Sequence, residues 1–169
     1  MTRILALFTV AGLAFAQAQK QPTAEETADF IIGKLHGTRQ NRVMPDKTAH
    51  DIRHSLKYAG ACKFTLVNEV TAFLKSGPIT ISFETTVVDM KYFERTTLIP
   101  WVDRVGTVLT LIFNRHLDTV STDPDTKASD TFYTESLDFR LSDDKLAERL
   151  TKALMHLGKV CGNDKPEPF

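Results

Sequence analysis

The sequence predicts an α+β fold in which an antiparallel β-sheet is closed by a C-terminal amphipathic helix, with an additional N-terminal helix before the sheet. Two patterns carry this prediction. The middle of the chain alternates apolar and polar residues with the period of two that is typical of half-buried strands. The segments 23–36 and 142–161 instead repeat apolar residues at spacings of three and four, which is typical of helices that bury one face.

Composition and charge exclude several classes of protein. The 169 residues match the length of one domain. With 42% hydrophobic residues the chain is too apolar to be disordered, and with 21 Lys+Arg against 21 Asp+Glu it is too neutral for a nucleic-acid binder. Because of this neutral charge balance, we expect no nucleic-acid partner. Two cysteines are too few for a zinc ribbon or a disulfide-dense miniprotein.

Residues 1–18 predict a cleaved signal peptide. Arg3 supplies the positive charge, and the apolar run 4–14 is shorter than the roughly 20 residues that cross a hydrocarbon core. Small-x-small sites end at Ala16 and Ala18, and cleavage is expected after one of them. The sequence thus predicts a single α+β domain over 19–169, a location in the periplasm or outside the cell, and no stable membrane anchor.

The N-terminal helix is predicted from a Thr-x-x-Glu capping box formed by Thr23 and Glu26. Four apolar residues follow at helical spacing, namely Ala28, Ile31, Ile32 and Leu35. Gly37 is expected to end the helix. The polar segment 38–60 is predicted to be a loop with at most one short element.

Four apolar groups predict strands. The segments 62–66 and 79–88 alternate on either side of the turn Ser76-Gly77-Pro78, which indicates a hairpin. The β-branched run 105–113 and the alternating run 132–141 add two more strands. The acidic segment 118–130 is predicted to be a solvated connection, because it lacks the glycine and the closing glutamate of a calcium loop.

The C-terminal helix has the clearest pattern. Ser142 is the expected N-cap, and Gly162 fits the position just after the helix. The apolar face comprises Leu146, Leu150, Ala153, Leu154, Leu157, Val160 and Cys161. A basic stripe lies beside this face and comprises Lys145, Arg149, Lys152, His156 and Lys159. The stripe is a candidate surface for an anion or acidic partner, or else the solvated flank of an amphipathic helix.

The two cysteines, Cys62 and Cys161, are predicted to form a structural disulfide. Export delivers the chain to an oxidising compartment, where such bonds persist. A reactive thiol is the alternative, but neither cysteine lies in a Cys-x-x-Cys pair or beside a base motif.

The run Leu137-Asp138-Phe139-Arg140-Leu141, followed by a capped amphipathic helix, resembles the end of a pleckstrin-homology-like (PH-like) barrel. Residues 148–162 are similar to the terminal helix of small exported bacterial proteins of unknown function with that fold. The resemblance implies a partly open barrel whose end is plugged by the C-terminal helix. It also implies a binding scaffold, since such barrels mostly act in that way.

Three further residues are candidates for function. His50 and His54 have the i, i+4 spacing of two zinc ligands on a helix, but Asp51 replaces the glutamate of the metalloprotease motif and no third ligand is identifiable. They are weak metal candidates beside the alternative of two polar loop histidines. Trp101 is a candidate recognition anchor, or else packs over the edge of the core.

No cofactor is predicted, and the sequence has neither a Gly-x-Ser-x-Gly elbow nor a phosphate-binding glycine loop. Because no catalytic residue can be named, the sequence favours a protein that is not an enzyme. We expect an exported, non-catalytic module that binds an unknown protein or a small ligand. The alternative is a small hydrolase or a ligand-carrying barrel with a pocket between the sheet and the helices.

Overall fold

The protein folds as one curled antiparallel sheet with a helix before it and a helix after it. A computed structural model describes residues 21–44, 47–101 and 106–162. The elements are α1 (Ala24–Leu35), β1 (Arg39–Val43), β2 (Ala49–Gly60), β3 (Lys63–Leu74), β4 (Gly77–Asp89), a short 3₁₀ turn (Met90–Tyr92), β5 (Phe93–Pro100), β6 (Thr107–Thr122), β7 (Ser129–Leu141) and α2 (Asp144–Val160). The predicted α+β class with two helices is confirmed. The predicted signal peptide and both cleavage sites lie outside the described residues.

The seven strands form a half-barrel around the long strand β6. Strands β1 to β4 pair in sequence order. In β6, residues 107–112 pair with both β5 and β7, whereas residues 119–122 pair with both β4 and β7. The sheet curls until the Arg140 side chain on β7 donates a hydrogen bond to the backbone carbonyl of Asn41 on β1. This curl turns one face of the sheet toward the interior of the half-barrel.

The capping of α1 follows the sequence, and that of α2 differs by one residue. The hydroxyl of Thr23 accepts from the Glu26 backbone, and the Glu26 carboxylate accepts from the Thr23 backbone, as the capping box predicts. The prediction of Ser142 as N-cap of α2 is wrong. Asp143 caps this helix because its carboxylate accepts from the backbone of Lys145 at 2.9 Å and from that of the next residue at 3.2 Å.

The predicted loop over 38–60 is wrong, because β1 and β2 occupy most of this segment. Polar Gln40 stands at an inward-facing position of β1, and polar His54 stands between the inward-facing Ile52 and Leu56 of β2, which interrupts the apolar alternation that identifies half-buried strands. Strand β5 was missed for a related reason, since most of its positions are partly or fully exposed. The acidic connection is shorter than predicted, because β6 continues to Thr122 and β7 begins at Ser129. The hairpin of β3 and β4 is confirmed.

The helices cover the apolar half of the interior. Its largest fully buried side chains include Phe93, Phe139, Ile31, Leu35, Leu66, Met90, Leu109, Leu150, Leu154 and Leu157. The predicted disulfide is confirmed: Cys62, in the β2–β3 turn, is bonded to Cys161 at the end of α2, with the two Cα atoms 5.8 Å apart. The bond therefore fastens the end of the closing helix to the sheet.

Candidate functional site

A groove of about 650 Å³ lies beside α2, where the flank of this helix faces β5. Three residues of the predicted basic stripe line it, namely Lys152, His156 and Lys159. The remaining lining residues are Gln21, Arg95, Thr96, Thr151, Met155 and Val160. The groove thus brings a basic residue of the sheet next to the basic stripe of the helix.

Local sequence explains how α2 and β5 present these side chains. Leu150, Leu154 and Leu157 are buried, so residues one or two positions away project along the flank of the helix. In β5 the strand register shifts between Phe93, which is buried, and Arg95, which is exposed. Such an irregularity changes the direction in which the following side chain points. Arg95 could not be assigned to this site from the sequence, because its position depends on the pairing of β5 with β6.

The groove is positively charged. Arg95, Lys152 and Lys159 line it, and no Asp or Glu is among its described lining residues. The imidazole Nε2 of His156 lies 2.9 Å from the carbonyl oxygen of Pro22, which fixes the tautomer in which Nε2 carries a proton and donates. The buried hydroxyl of Thr151 has no hydrogen-bond partner among the described residues. The groove therefore offers donors and positive charge, which suit carboxylates and phosphates.

The groove also has apolar surface. Met155 is half-buried along its wall, and Val160 is 50% exposed. The prediction that Val160 belongs to the buried face is wrong: it lies in the last turn of α2, where the helix passes the edge of the core. A ligand for this surface combines negative charge with an apolar group.

The other predicted binding residues lie outside the groove. Lys145 is exposed in the first turn of α2. The guanidinium of Arg149 lies 5.3 Å from the centre of the Phe30 ring, on the side of α2 that faces α1. Trp101 is half-buried, and the guanidinium of Arg140 lies 4.6 Å from its ring centre.

The two metal candidates lie on strand β2. Their spacing places His50 and His54 on one face, but four residues of a strand span about 13 Å, which is too far for one ion to bind both imidazoles at about 2 Å. Within the described ranges, no group of three or more His, Cys, Asp or Glu side chains is placed to hold a metal ion.

A second concavity of about 180 Å³ is open to solvent and is walled by residues of six strands; we call it the polar chamber. His54 lies in this wall and is 3% exposed. Its Nδ1 lies 2.8 Å from Oδ1 of Asn68, and the Asn68 amide donates to Glu84 at 3.5 Å. Burial lowers the pKa of His54 below its ordinary value, against smaller opposing effects of Asn68 and the Asp51 charge. His54 is therefore neutral near pH 7, with its proton on Nδ1.

Sequence reasoning considered His54 only as a metal candidate, and it gave no role to Asn68, Glu84 or the hydrogen-bonded hydroxyls of Thr86 and Thr119, which are 2.8 Å apart. The available signal was the presence of polar residues at alternate positions of strands whose other residues are apolar.

The cavity between the sheet and the helices is much smaller, at about 20 Å³. It has room for about one water molecule.

In the part of the chain that the structure describes, no helix is both long enough and apolar enough to span a membrane. The resemblance to PH-like proteins remains a prediction. Comparison with family models, curated proteins and solved structures finds no match to this chain.

Proposed function

We propose that the protein is an exported, non-catalytic binding module of PH-like type, and that its groove takes an acidic peptide segment of a protein partner. The observation that supports this most directly is the convergence of Arg95, Lys152 and Lys159 on one groove whose described lining lacks any carboxylate. The Cys62–Cys161 disulfide supports export, because such bonds persist in oxidising compartments.

The choice of an acidic peptide follows from the size and chemistry of the groove. Its volume of about 650 Å³ falls within the range of roughly 300–1,000 Å³ that is usual for ligand sites. The Arg95 guanidinium suits a two-pronged contact with a carboxylate, and the lysines suit point contacts with further charges. Met155 and Val160 provide an apolar surface for a hydrophobic side chain of the same segment.

A binding role agrees with the state of the groove histidine. His156 already donates from Nε2 to the Pro22 carbonyl, so its ring is held in place and Nδ1 is left as the nitrogen that can contact a ligand. The groove thereby supplies charge and donors that hold a ligand.

The test is fluorescence anisotropy with a dye-labelled peptide of alternating Glu and Leu, using the exported protein with its disulfide intact. The double variant Arg95→Gln/Lys159→Gln removes two charges of the groove. It is expected to bind about tenfold more weakly, since each exposed ion pair contributes up to about 1 kcal/mol. Affinity is also expected to fall as salt is added.

The matched control is Lys34→Gln/Lys75→Gln, which removes two exposed charges that do not line the groove. This control is expected to retain the affinity of the unaltered protein. Equal losses in both double variants would reduce the effect to net charge and contradict the proposed groove. Unchanged binding in the groove variant would contradict it as well.

A further inference from the structure

Two buried acceptor atoms in the polar chamber have no hydrogen-bond partner among the described residues. They are Nε2 of His54 and Oε1 of Gln40. Both residues line the chamber, on the neighbouring strands β2 and β1. Buried polar atoms are nearly always paired in folded proteins, so these two atoms pair with a molecule that enters the concavity, either water or a ligand in its place.

The hydrogen bonds around these atoms define what that partner must donate. Because Nδ1 of His54 carries the proton that goes to Asn68, Nε2 has only a lone pair and must accept. The amide oxygen of Gln40 is also an acceptor. Thr86 and Thr119 share one hydrogen bond, which uses one of their two hydroxyl protons. A ligand must therefore supply at least two donors, while this hydroxyl and the side chains of Arg42, Thr134 and Ser136 offer donors in return.

We propose that this chamber binds a small polyol of monosaccharide size, with one ligand hydroxyl donating to His54 Nε2 and another to Gln40 Oε1. A hydroxyl both donates and accepts, so the same ligand also accepts from the Thr86–Thr119 pair. A volume of about 180 Å³ equals about six water molecules at ~30 Å³ each, which suits one compact ring. Phe132 adds an aromatic surface to the wall.

Other ligand classes fit this chamber less well. An anion would meet two lone pairs and the carboxylates of Glu84 and Asp138, against the single positive charge of Arg42. A metal ion would find no cluster of three His, Cys, Asp or Glu ligands among the described residues. A small ammonium ion would satisfy the acceptors, but it has no lone pair with which to accept from the Thr86–Thr119 pair or from Arg42.

The chamber and the groove share none of their lining residues, so this inference does not depend on the proposed function. The test is an NMR titration of the ¹⁵N-labelled exported protein with D-glucose, D-galactose, D-mannose and myo-inositol in turn. At least one of these probes is expected to shift the side-chain ¹⁵N resonance of His54 in a saturable manner. Ethylammonium chloride is the comparator for small amines.

Gln40→Leu removes one acceptor at similar size from a short edge strand, which limits the risk of unfolding. It is expected to weaken polyol binding about fivefold, as the loss of one hydrogen bond implies. Asn41→Leu, at the adjacent exposed position of β1, is the matched control and is expected to leave binding unchanged.

Three results would overturn the inference. Saturable binding of ethylammonium but of no polyol would assign the chamber to amines. Absence of any saturable shift with all probes would mean that only water fills it. Polyol binding that Gln40→Leu and Asn41→Leu leave equally strong would place the ligand elsewhere on the protein.

Discussion

Gly158 in α2 and Gly33 in α1 allow the packing of the closing helix to be tested with one and the same substitution. Replacing either glycine by alanine favours the helix by up to about 1 kcal/mol, because glycine loses more backbone entropy. A Cβ atom at Gly33 would have no neighbour within 4 Å. A Cβ atom at Gly158 would lie 2.8 Å from Cδ1 of Phe93, which is closer than two non-bonded carbon atoms approach in folded proteins.

The clash at Gly158 has no easy relief. The Phe93 ring is 1% exposed and packs edge to face on Phe113, with ring centres 6.0 Å apart. Overpacking of this kind costs about 1–3 kcal/mol, which cancels or exceeds the gain in helix propensity. We therefore expect Gly158→Ala to destabilise by about 0–2 kcal/mol and Gly33→Ala to stabilise by up to about 1 kcal/mol.

Thermal unfolding followed by circular dichroism measures the difference between the two variants. In a chain of this length, 1 kcal/mol corresponds to a change in Tm of about 2–4 °C. Gly158→Ala is expected to lower Tm or leave it unchanged, and Gly33→Ala is expected to raise it. An equal rise in both variants would mean that α2 does not pack against Phe93 and would refute the closure of the half-barrel described above.

Three further tests of other parts of the fold also use thermal unfolding. The double variant Cys62→Ser/Cys161→Ser opens a link across 99 positions and is expected to lose up to about 4.7 kcal/mol; a Tm equal to that of the oxidised protein would contradict a structural disulfide. Asp143→Ala is expected to cost about 1 kcal/mol as loss of the N-cap, whereas Ser142→Ala stays within about 0.5 kcal/mol; the reverse order would restore Ser142 as the cap. Burial lowers the pKa of His54 in the folded protein. As the pH drops below about 6.5, the unfolded chain therefore takes up a proton at His54 before the folded protein does. The free energy of unfolding is expected to fall between pH ~6.5 and the lower pKa of the folded state. His54→Gln is expected to make Tm depend less on pH in this range. An unaltered dependence would contradict the lowered pKa of His54.

Features that depend on neighbouring residues were predictable from the sequence. The capping box of Thr23 and Glu26 involves residues three apart, and the apolar face of α2 repeats within one helix. The pairing of Cys62 with Cys161 followed from there being only two cysteines in a chain expected to be exported. In each case the information lies in a short window or in a count.

Features that depend on the curl of the sheet were not predictable. β1 and β2 carry Gln40 and His54 on their inner face, which interrupts the apolar alternation that marks a strand with one buried face. These polar residues are tolerated because they line a chamber rather than the core. Arg95 likewise joins the groove only because β5 runs beside α2.

The central claim, that the flank of α2 and β5 form a binding surface for acidic peptides, is tested most directly by NMR mapping. The ¹⁵N-labelled protein with its disulfide intact is titrated with the unlabelled Glu/Leu peptide while its backbone amide resonances are followed. Saturable shifts centred on Thr96, Thr151 and Lys159 are expected. Shifts confined to the outer faces of the strands, or no saturable shift at all, would contradict it.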